Sequence, residues 1–350
     1  MSNPTDPSHN HSNGNNGNNG FDAQTDVDNN TSDVESDHDY SDDDTSSVVE
    51  LEAEDFPGYF TERDGRLYHS GQSPYPLPVD APEQERLNFQ HLLFKEFFQG
   101  NCVGPEVELF TDPQRTMALD LCTGKGTWVM EMAHQFPQVR FRAIDIVPIA
   151  TRYPLENVQF EVDDVNNDLR WNNETFDLVN ARTIAMAVRD CPRLIREVAR
   201  VLRPGGVFVS VEWSPYPAVD LTVREDSASY APASARFHEA INQALLNHCG
   251  LRPIAGQIHT LLANTGSFRD IVSSPRSVPV GTWSNSRVRA IGEYCLEMNT
   301  RYADSVKTLL IDSGWTEGDV DRLCDEYIRE IRSGDKKLVN ILYIVHARKV

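Results

Sequence analysis

The feature that most constrains this chain is a succession of short apolar runs that begins near Thr116 and alternates with turns and amphipathic segments. The runs are 117–121, 139–144, 158–162, 176–180 and 207–211. Each is the length of one buried strand and too short for a helix. Between the last two, Cys191, Leu194, Ile195, Val198, Val201 and Leu202 recur at i, i+3, i+4, i+7, i+10 and i+11, which is one helix face, and Pro204-Gly205-Gly206 stops it. Strand and helix alternating at this spacing predict an α/β fold with a doubly wound, mostly parallel sheet. Such sheets receive ligands outside the carboxyl ends of their strands, where the strand order reverses.

The chemistry-bearing residues cluster at those ends. Ala118-Leu119-Asp120-Leu121-Cys122-Thr123-Gly124-Lys125-Gly126-Thr127-Trp128 reads as a strand, a tight turn and the start of a helix, a variant of the glycine-rich nucleotide loop. Without a Cβ, Gly124 and Gly126 let backbone approach a ligand closely and reach positive φ. Asp145 ends the second run, nineteen residues past Gly126, where an acid accepts from ribose hydroxyls. Asp164 follows the third run and can accept from an adenine amino group. Loop capping by aspartate explains any one of these acids alone. Three acids at three successive strand ends point instead to one nucleoside.

These residues resemble the signature of the class I S-adenosylmethionine-dependent methyltransferases. Leu119-Asp120-Leu121-Cys122-Thr123-Gly124-Lys125-Gly126 is similar to their motif I, Asp145 to the ribose-binding acid, and Asp164-Val165 to the adenine-binding pair. Residues 176–182 resemble the fourth-strand motif, and Val201-Leu202-Arg203-Pro204-Gly205-Gly206 the turn before the fifth strand. The resemblance implies S-adenosyl-L-methionine as cofactor, held by Asp120, Leu121, Cys122, Gly124, Gly126, Asp145, Ile146, Asp164, Val165 and Ala181. Asp120 would hold the cofactor's amino group. It also implies a Rossmann-like sheet of seven strands whose last strand, 338–347, runs antiparallel. One departure is plain: Cys122 stands where the first glycine of motif I is usual, so its thiol must point away from the cofactor.

Upstream, Tyr68-His69, Tyr75-Pro76-Leu77-Pro78-Val79-Asp80, Glu83, Arg86-Leu87 and Gln90-His91-Leu92-Leu93-Phe94 resemble the N-terminal signature of the fungal LaeA-like methyltransferases. That narrower likeness implies a place in fungal secondary metabolism and brings velvet-type proteins into view as partners.

Composition sets the boundaries. Residues 1–55 hold fifteen Asp and Glu and no Lys or Arg, so most of the formal net charge of −21 lies there. Residues 1–47, rich in Asn, Asp, Ser and Gly, have nothing to bury and are expected to be a disordered acidic tail, with serines before acids that suit acidophilic kinases. Residues 48–115 form an aromatic and Pro-rich segment and a helix, in which Leu87, His91 and Phe94 share a face and Gly100 is the stop. Residues 116–215 are the cofactor-binding core. Residues 216–350 are a helical cap with the last two strands, and the helices within 279–337 are expected to wall the substrate. The apolar stripes there are Phe237, Ile241, Leu245; then Val288, Ile291, Cys295, Met298, Tyr302; then Val320 to Ile331 behind a capping box at Thr316.

Several function classes fall away. No basic stripe exists to neutralise phosphates, so no direct nucleic-acid binding is expected. No run of about eighteen apolar residues crosses a membrane, and the N-terminus has no apolar leader. The six cysteines are at least twenty residues apart, which excludes CxxC metal knuckles and suits a reducing compartment. The expected location is cytoplasmic, with the nucleus as the alternative. No metal-ligand spacing appears, and the fourth run lacks the Asn-Pro-Pro-Tyr tetrad of enzymes that methylate DNA amines.

Methyl transfer from a sulfonium requires neither metal nor oxyanion hole, and a base only where the acceptor is a weakly acidic hydroxyl. The histidines weighed as bases are His69, His91, His238 and His259, with His259, His238 and Glu212 kept as catalytic candidates. Trp213 is a candidate wall of the substrate site, and Tyr68 and Tyr75 candidate covers of the sulfonium by cation–π contact. The reading is a methyltransferase acting on a small molecule, at oxygen. The alternative is a LaeA-like nuclear regulator acting through protein partners. An NAD oxidoreductase leaves Asp164 without a role and is set aside.

Overall fold

The computed structural model describes residues 49–284 and 288–350. The acidic tail and its serines, 1–47, lie outside the described residues.

The chain opens with a hairpin, β1 (Phe60–Arg63) and β2 (Arg66–His69), whose two-residue turn places Asp64 and Gly65 at φ +52° and +73°. Positive φ at both positions marks the turn that matches strand twist, and Asp-Gly supplies it. Helix α1 (Ala81–Phe98) follows, with Pro82 in its first turn. Asp80 caps it by accepting from Glu83 N at 3.2 Å and also pairs with Arg66 Nε at 2.6 Å, fastening the hairpin to the helix. The 56–80 stretch therefore includes a hairpin within the extended and turn backbone that its prolines predict.

After α2 (Glu106–Leu109) come β3 (Met117–Leu121), α3 (Thr127–Gln135), β4 (Arg140–Asp145), β5 (Val158–Val162), β6 (Phe176–Arg182), α4 (Cys191–Val201) and β7 (Leu202–Trp213). These five strands are parallel, in the order β5-β4-β3-β6-β7. A two-residue strand β8 (Ala218–Val219) and helices α5 (Ser227–Tyr230), α6 (Pro232–Ala244) and α7 (Ile258–Thr265) lead to β9 (Phe268–Pro279). Helices α8 (Arg289–Ser305), α9 (Lys307–Asp312) and α10 (Glu317–Arg332) then precede β10 (Leu338–Lys349), which runs antiparallel between β7 and β9. Seven long strands form the sheet as expected. The eighth, β8, pairs only with Leu338 and Val339.

Alternation along each strand builds two cores. Leu119, Leu121, Val179 and Ala181 pack under Leu194, Ile195 and Val198 of α4 and under Ile258 and Leu262 of α7. On the opposite face Ala118, Phe141, Ala143 and Leu178 meet Trp128, Val129 and Met132 of α3. A third core joins α1, α6, α8 and α10 around Phe94, Phe237, Met298 and Tyr327, with the Phe237 and Tyr327 rings stacked at 3.9 Å. The strand order reverses between β3 and β6, and their carboxyl ends open there. The buried side of α1 differs from the expected Leu87–His91–Phe94 face. It carries Glu83, Arg86, Gln90, Leu93 and Phe94, while Leu87 and His91 are half-buried.

Candidate cofactor and acceptor site

The turn after β3 is held from below and beside. Gly124 and Gly126 take φ +57° and +74°, and Cys122 φ +56°. Gly124 N donates to Asp145 Oδ2 at 2.8 Å, and Thr123 N to the Ile144 carbonyl at 2.9 Å, so the loop is stitched to the end of β4. A Cβ on Gly126 would lie 2.4 Å from the Phe160 ring of β5. Burial pushes Asp145 up to about 6 against the hydrogen bonds from Gly124, Val147 and Ile146. Asp120 is also pushed up to about 6 by burial and accepts from Asn180 Nδ2 at 2.6 Å. Asp164 Oδ1 accepts from Asn166 N at 2.9 Å and Nδ2 at 2.7 Å, which shapes the loop after β5. Ile146 is half-buried; Leu121, Val165 and Ala181 are buried.

Two cavities open at this edge of the sheet. The first, of about 110 Å³, lies between α1 and the glycine loop, bordered by Gln84, His91, Asp120, Cys122, Gly124 and Arg182. The second, of about 160 Å³, lies between α1, α6, α8 and the ends of β6 and β7. Its walls include Tyr75, Arg86, Glu212, Trp213, His238 and Tyr302. Leu87, Gln90 and Thr183 belong to both. Gln90 Nε2 donates to Thr183 Oγ1 at 3.0 Å, and Gln90 Oε1 accepts from Trp213 Nε1 at 3.1 Å, so one amide stands at the boundary and is anchored on both sides.

The candidates divide between these places. Glu212, fully buried, accepts from Ile184 N at 2.7 Å and is pushed up to about 8 by burial, so it is a protonated acid at neutral pH. His238 faces the same cavity and its Nδ1 lies 2.8 Å from the Ser234 carbonyl, which fixes a proton on Nδ1. Burial lowers its pKa, so the ring stays neutral with Nε2 as an acceptor. His259 is exposed on α7 and borders neither cavity. His91 borders the first cavity, with Nε2 3.3 Å from Glu131 Oε2. His69 Nε2 lies 2.9 Å from the Tyr75 carbonyl. Tyr75 borders the second cavity, and burial raises its pKa, whereas Tyr68 lies under Arg63 and borders neither cavity. Sequence reasoning left Gln90, Thr183 and Arg182 without roles. The i, i+3, i+7 spacing of Glu83, Arg86 and Gln90 on a capped helix was the available signal for an inward polar face.

Whether this edge fits an adenosyl amino acid is decided by its donors and acceptors. Gln84 Oε1 is buried beside the first cavity without a hydrogen-bond partner among the described residues. A ligand with an ammonium group satisfies such an acceptor. The side-chain-free loop at Gly124 and Gly126 admits close approach, and Asp145 supplies a carboxylate for paired hydroxyls. The residues fit the group.

Residues 114–266 match the family described as Methyltransferase domain. The chain is 27% identical over 306 residues to secondary metabolism regulator laeA of Coprinopsis cinerea, covering 85% of this chain and 73% of that one. It is 28% identical over 267 residues to methyltransferase pytC of Aspergillus terreus, covering 73% and 78%. Among solved structures, phosphoethanolamine N-methyltransferase 2 of Haemonchus contortus in complex with S-adenosyl-L-methionine matches with TM-score 0.44 and 17% identity, over 81% of this chain and 61% of that one. No helix among the described residues is long and apolar enough to cross a membrane. Residues 114–266 are thus similar to a methyltransferase domain, and most of the chain is similar in sequence to proteins named secondary metabolism regulator laeA and methyltransferase pytC.

Proposed function

We propose that this methyltransferase transfers its methyl group to an oxygen of a small, largely apolar molecule seated in the cavity between α1, α6 and α8. When bound, S-adenosylmethionine supplies an electrophilic methyl on sulfur, so the protein's task is placement and exclusion of water. Asp145 would accept from the ribose hydroxyls, Asp164 and Val165 would border the adenine, and Asp120 would face the amino group. The Gln90–Thr183 contact at the boundary of the two cavities supports an acceptor seated beside the cofactor. In that cavity His238, neutral and with Nε2 open, would take the proton of an acceptor hydroxyl. Glu212, protonated at neutral pH, would orient the acceptor as a hydrogen-bond donor rather than remove its proton. Trp213, stacked on Phe94 at 5.5 Å, would wall the acceptor.

The observation that carries this reading is the shared wall: an enclosed, mostly apolar space opening beside the cofactor side, with one neutral histidine in it. Labelled methyl from S-adenosylmethionine is supplied to the protein with a fungal extract, and label is traced by mass spectrometry. Label in small molecules, lost in His238→Ala with cofactor affinity intact, is the expected result. Label only in protein, or none, refutes it.

A second reading is favoured by the likeness to proteins named secondary metabolism regulator laeA. In it the domain works with protein partners in the nucleus, and capture of velvet-type proteins by the full chain, in place of small-molecule methylation, is its expected result.

A further inference from the structure

Arg182 is a half-buried cation with no ion-pair partner among the described residues. It ends β6 and borders the cofactor-side cavity, on the same sheet face as Asp120 and Asn180. Its guanidinium lies over the Trp128 ring at 4.9 Å. Nη2 donates to the Asn101 carbonyl, and Nε makes a long contact of 3.4 Å to Asn180 Oδ1. Both partners are uncharged. No carboxylate among the described residues forms an ion pair with it, and Nη1 has no partner. Glu106 and Asp120 act on it only from a distance, and burial lowers its pKa. A guanidinium partly withdrawn from water with no anion beside it leaves its charge incompletely paired, and the cavity side is where an anion can complete it.

Asn180 explains why Asp120 does not. Its amide nitrogen donates to Asp120 and its oxygen faces Arg182, so one neutral side chain stands between acid and cation. The two charges cannot neutralise each other, and each keeps a face toward the same cavity. An acid and a guanidinium held apart across a cavity match the two ends of a zwitterionic amino acid.

We propose that Asp120, Asn180 and Arg182 form an amino-acid clamp in which Arg182 binds the carboxylate of the cofactor's methionine moiety, making it the residue that selects the intact cofactor over its decarboxylated form. The proposal rests on the cofactor assignment and not on the identity of the methyl acceptor. A charge-assisted hydrogen bond in a partly enclosed site is worth about tenfold to a hundredfold in affinity.

The test is isothermal calorimetry on the full chain with S-adenosylhomocysteine and with S-adenosyl-3-thiopropylamine, which lacks only the carboxylate. Wild type is expected to prefer S-adenosylhomocysteine by at least about tenfold. Arg182→Met and Arg182→Gln should bring the ratio near one by weakening S-adenosylhomocysteine alone, and Arg182→Lys should restore part of it. A wild-type ratio near one overturns the proposal even if every variant fails to fold. So do variants that keep the wild-type ratio, or that lose both ligands alike, since the latter marks a purely structural arginine. Binding of neither ligand to wild type overturns the cofactor assignment itself.

Discussion

Replacing Gly126 by alanine tests whether the glycine loop is shaped by backbone conformation or by the strand beside it. At φ +74° an alanine costs about 1–2 kcal/mol. The new Cβ would also lie 2.4 Å from Cε1 and Cζ of Phe160, the edge of a ring rooted on β5 rather than a flexible chain end. Forcing that ring aside adds about 1–3 kcal/mol, and the stiffer unfolded chain returns about 0.4–1 kcal/mol. The net loss is about 1–5 kcal/mol, centred near 3, a large part of an ordinary domain's stability. Gly124 is the internal control. Its φ is +57°, but the nearest atom to its Cβ is Leu87 Cδ1 at 3.9 Å, so Gly124→Ala should lose only about 1 kcal/mol. Urea denaturation with an unchanged m-value measures both. Phe160→Ala in the Gly126→Ala background should recover part of the loss, a coupling of about 1–2 kcal/mol. Equal losses at the two glycines, with no recovery, would refute the steric account.

Asp145 is held near 6 by burial, so the ionised form that the proposal assigns to the ribose hydroxyls fills as pH rises through that value. Affinity for S-adenosylhomocysteine should therefore rise from pH 5 to 7 and level above it, and Asp145→Asn should bind weakly with no such step; a flat wild-type profile contradicts the assignment. Glu212, near 8 in the folded protein and 4.5 as a free side chain, keeps its proton longer when folded. Its contribution to stability is thus present at low pH and is lost as pH rises through about 8. Glu212→Gln should gain on wild type by up to about 4 kcal/mol between pH 5 and 9, read by urea midpoints. Asp177 is fully buried and accepts from Thr116 N, Met117 N, Arg115 and Arg203. Asp177→Ala should cost about 3–5 kcal/mol because the arginines and backbone donors lose a shared acceptor; a loss under about 1 kcal/mol would show that water replaces it.

The central sheet was legible because both of its faces are covered. Strands covered on both sides are mainly apolar, and each of the five parallel strands falls on one of the runs named from sequence. The helix pattern from Cys191 to Val201 matched for the related reason that one of its faces meets the sheet and the other meets water. The hairpin at 60–69 was passed over although Asp64-Gly65 carried its turn signal, because the prolines around it dominate local composition. Cys122 shows the limit of reading by analogy. It occupies the glycine position of motif I and nevertheless takes φ +56°, since the bonds from Gly124 and Thr123 to the end of β4 fix the turn around it.

The acceptor side was the least legible part, and α1 shows why. A helix facing a hydrophobic core announces itself by an apolar stripe, and here the expected stripe ran through Leu87, His91 and Phe94. The face that turns inward instead carries Glu83, Arg86 and Gln90. Each is satisfied only by residues distant in sequence or by one another: Arg86 by Glu83, Glu83 also by Ser305 of α8, and Gln90 by Thr183 of β6 and Trp213 of β7. A polar face of this kind looks solvent-facing until those partners are known, because nothing in the local spacing distinguishes water from a buried acceptor. Polarity that periodicity would assign to the surface, placed against a cavity, is where a binding site departs from the rules that make a fold readable. The same logic singles out Arg182, an arginine at the end of β6 with no ion-pair partner among the described residues.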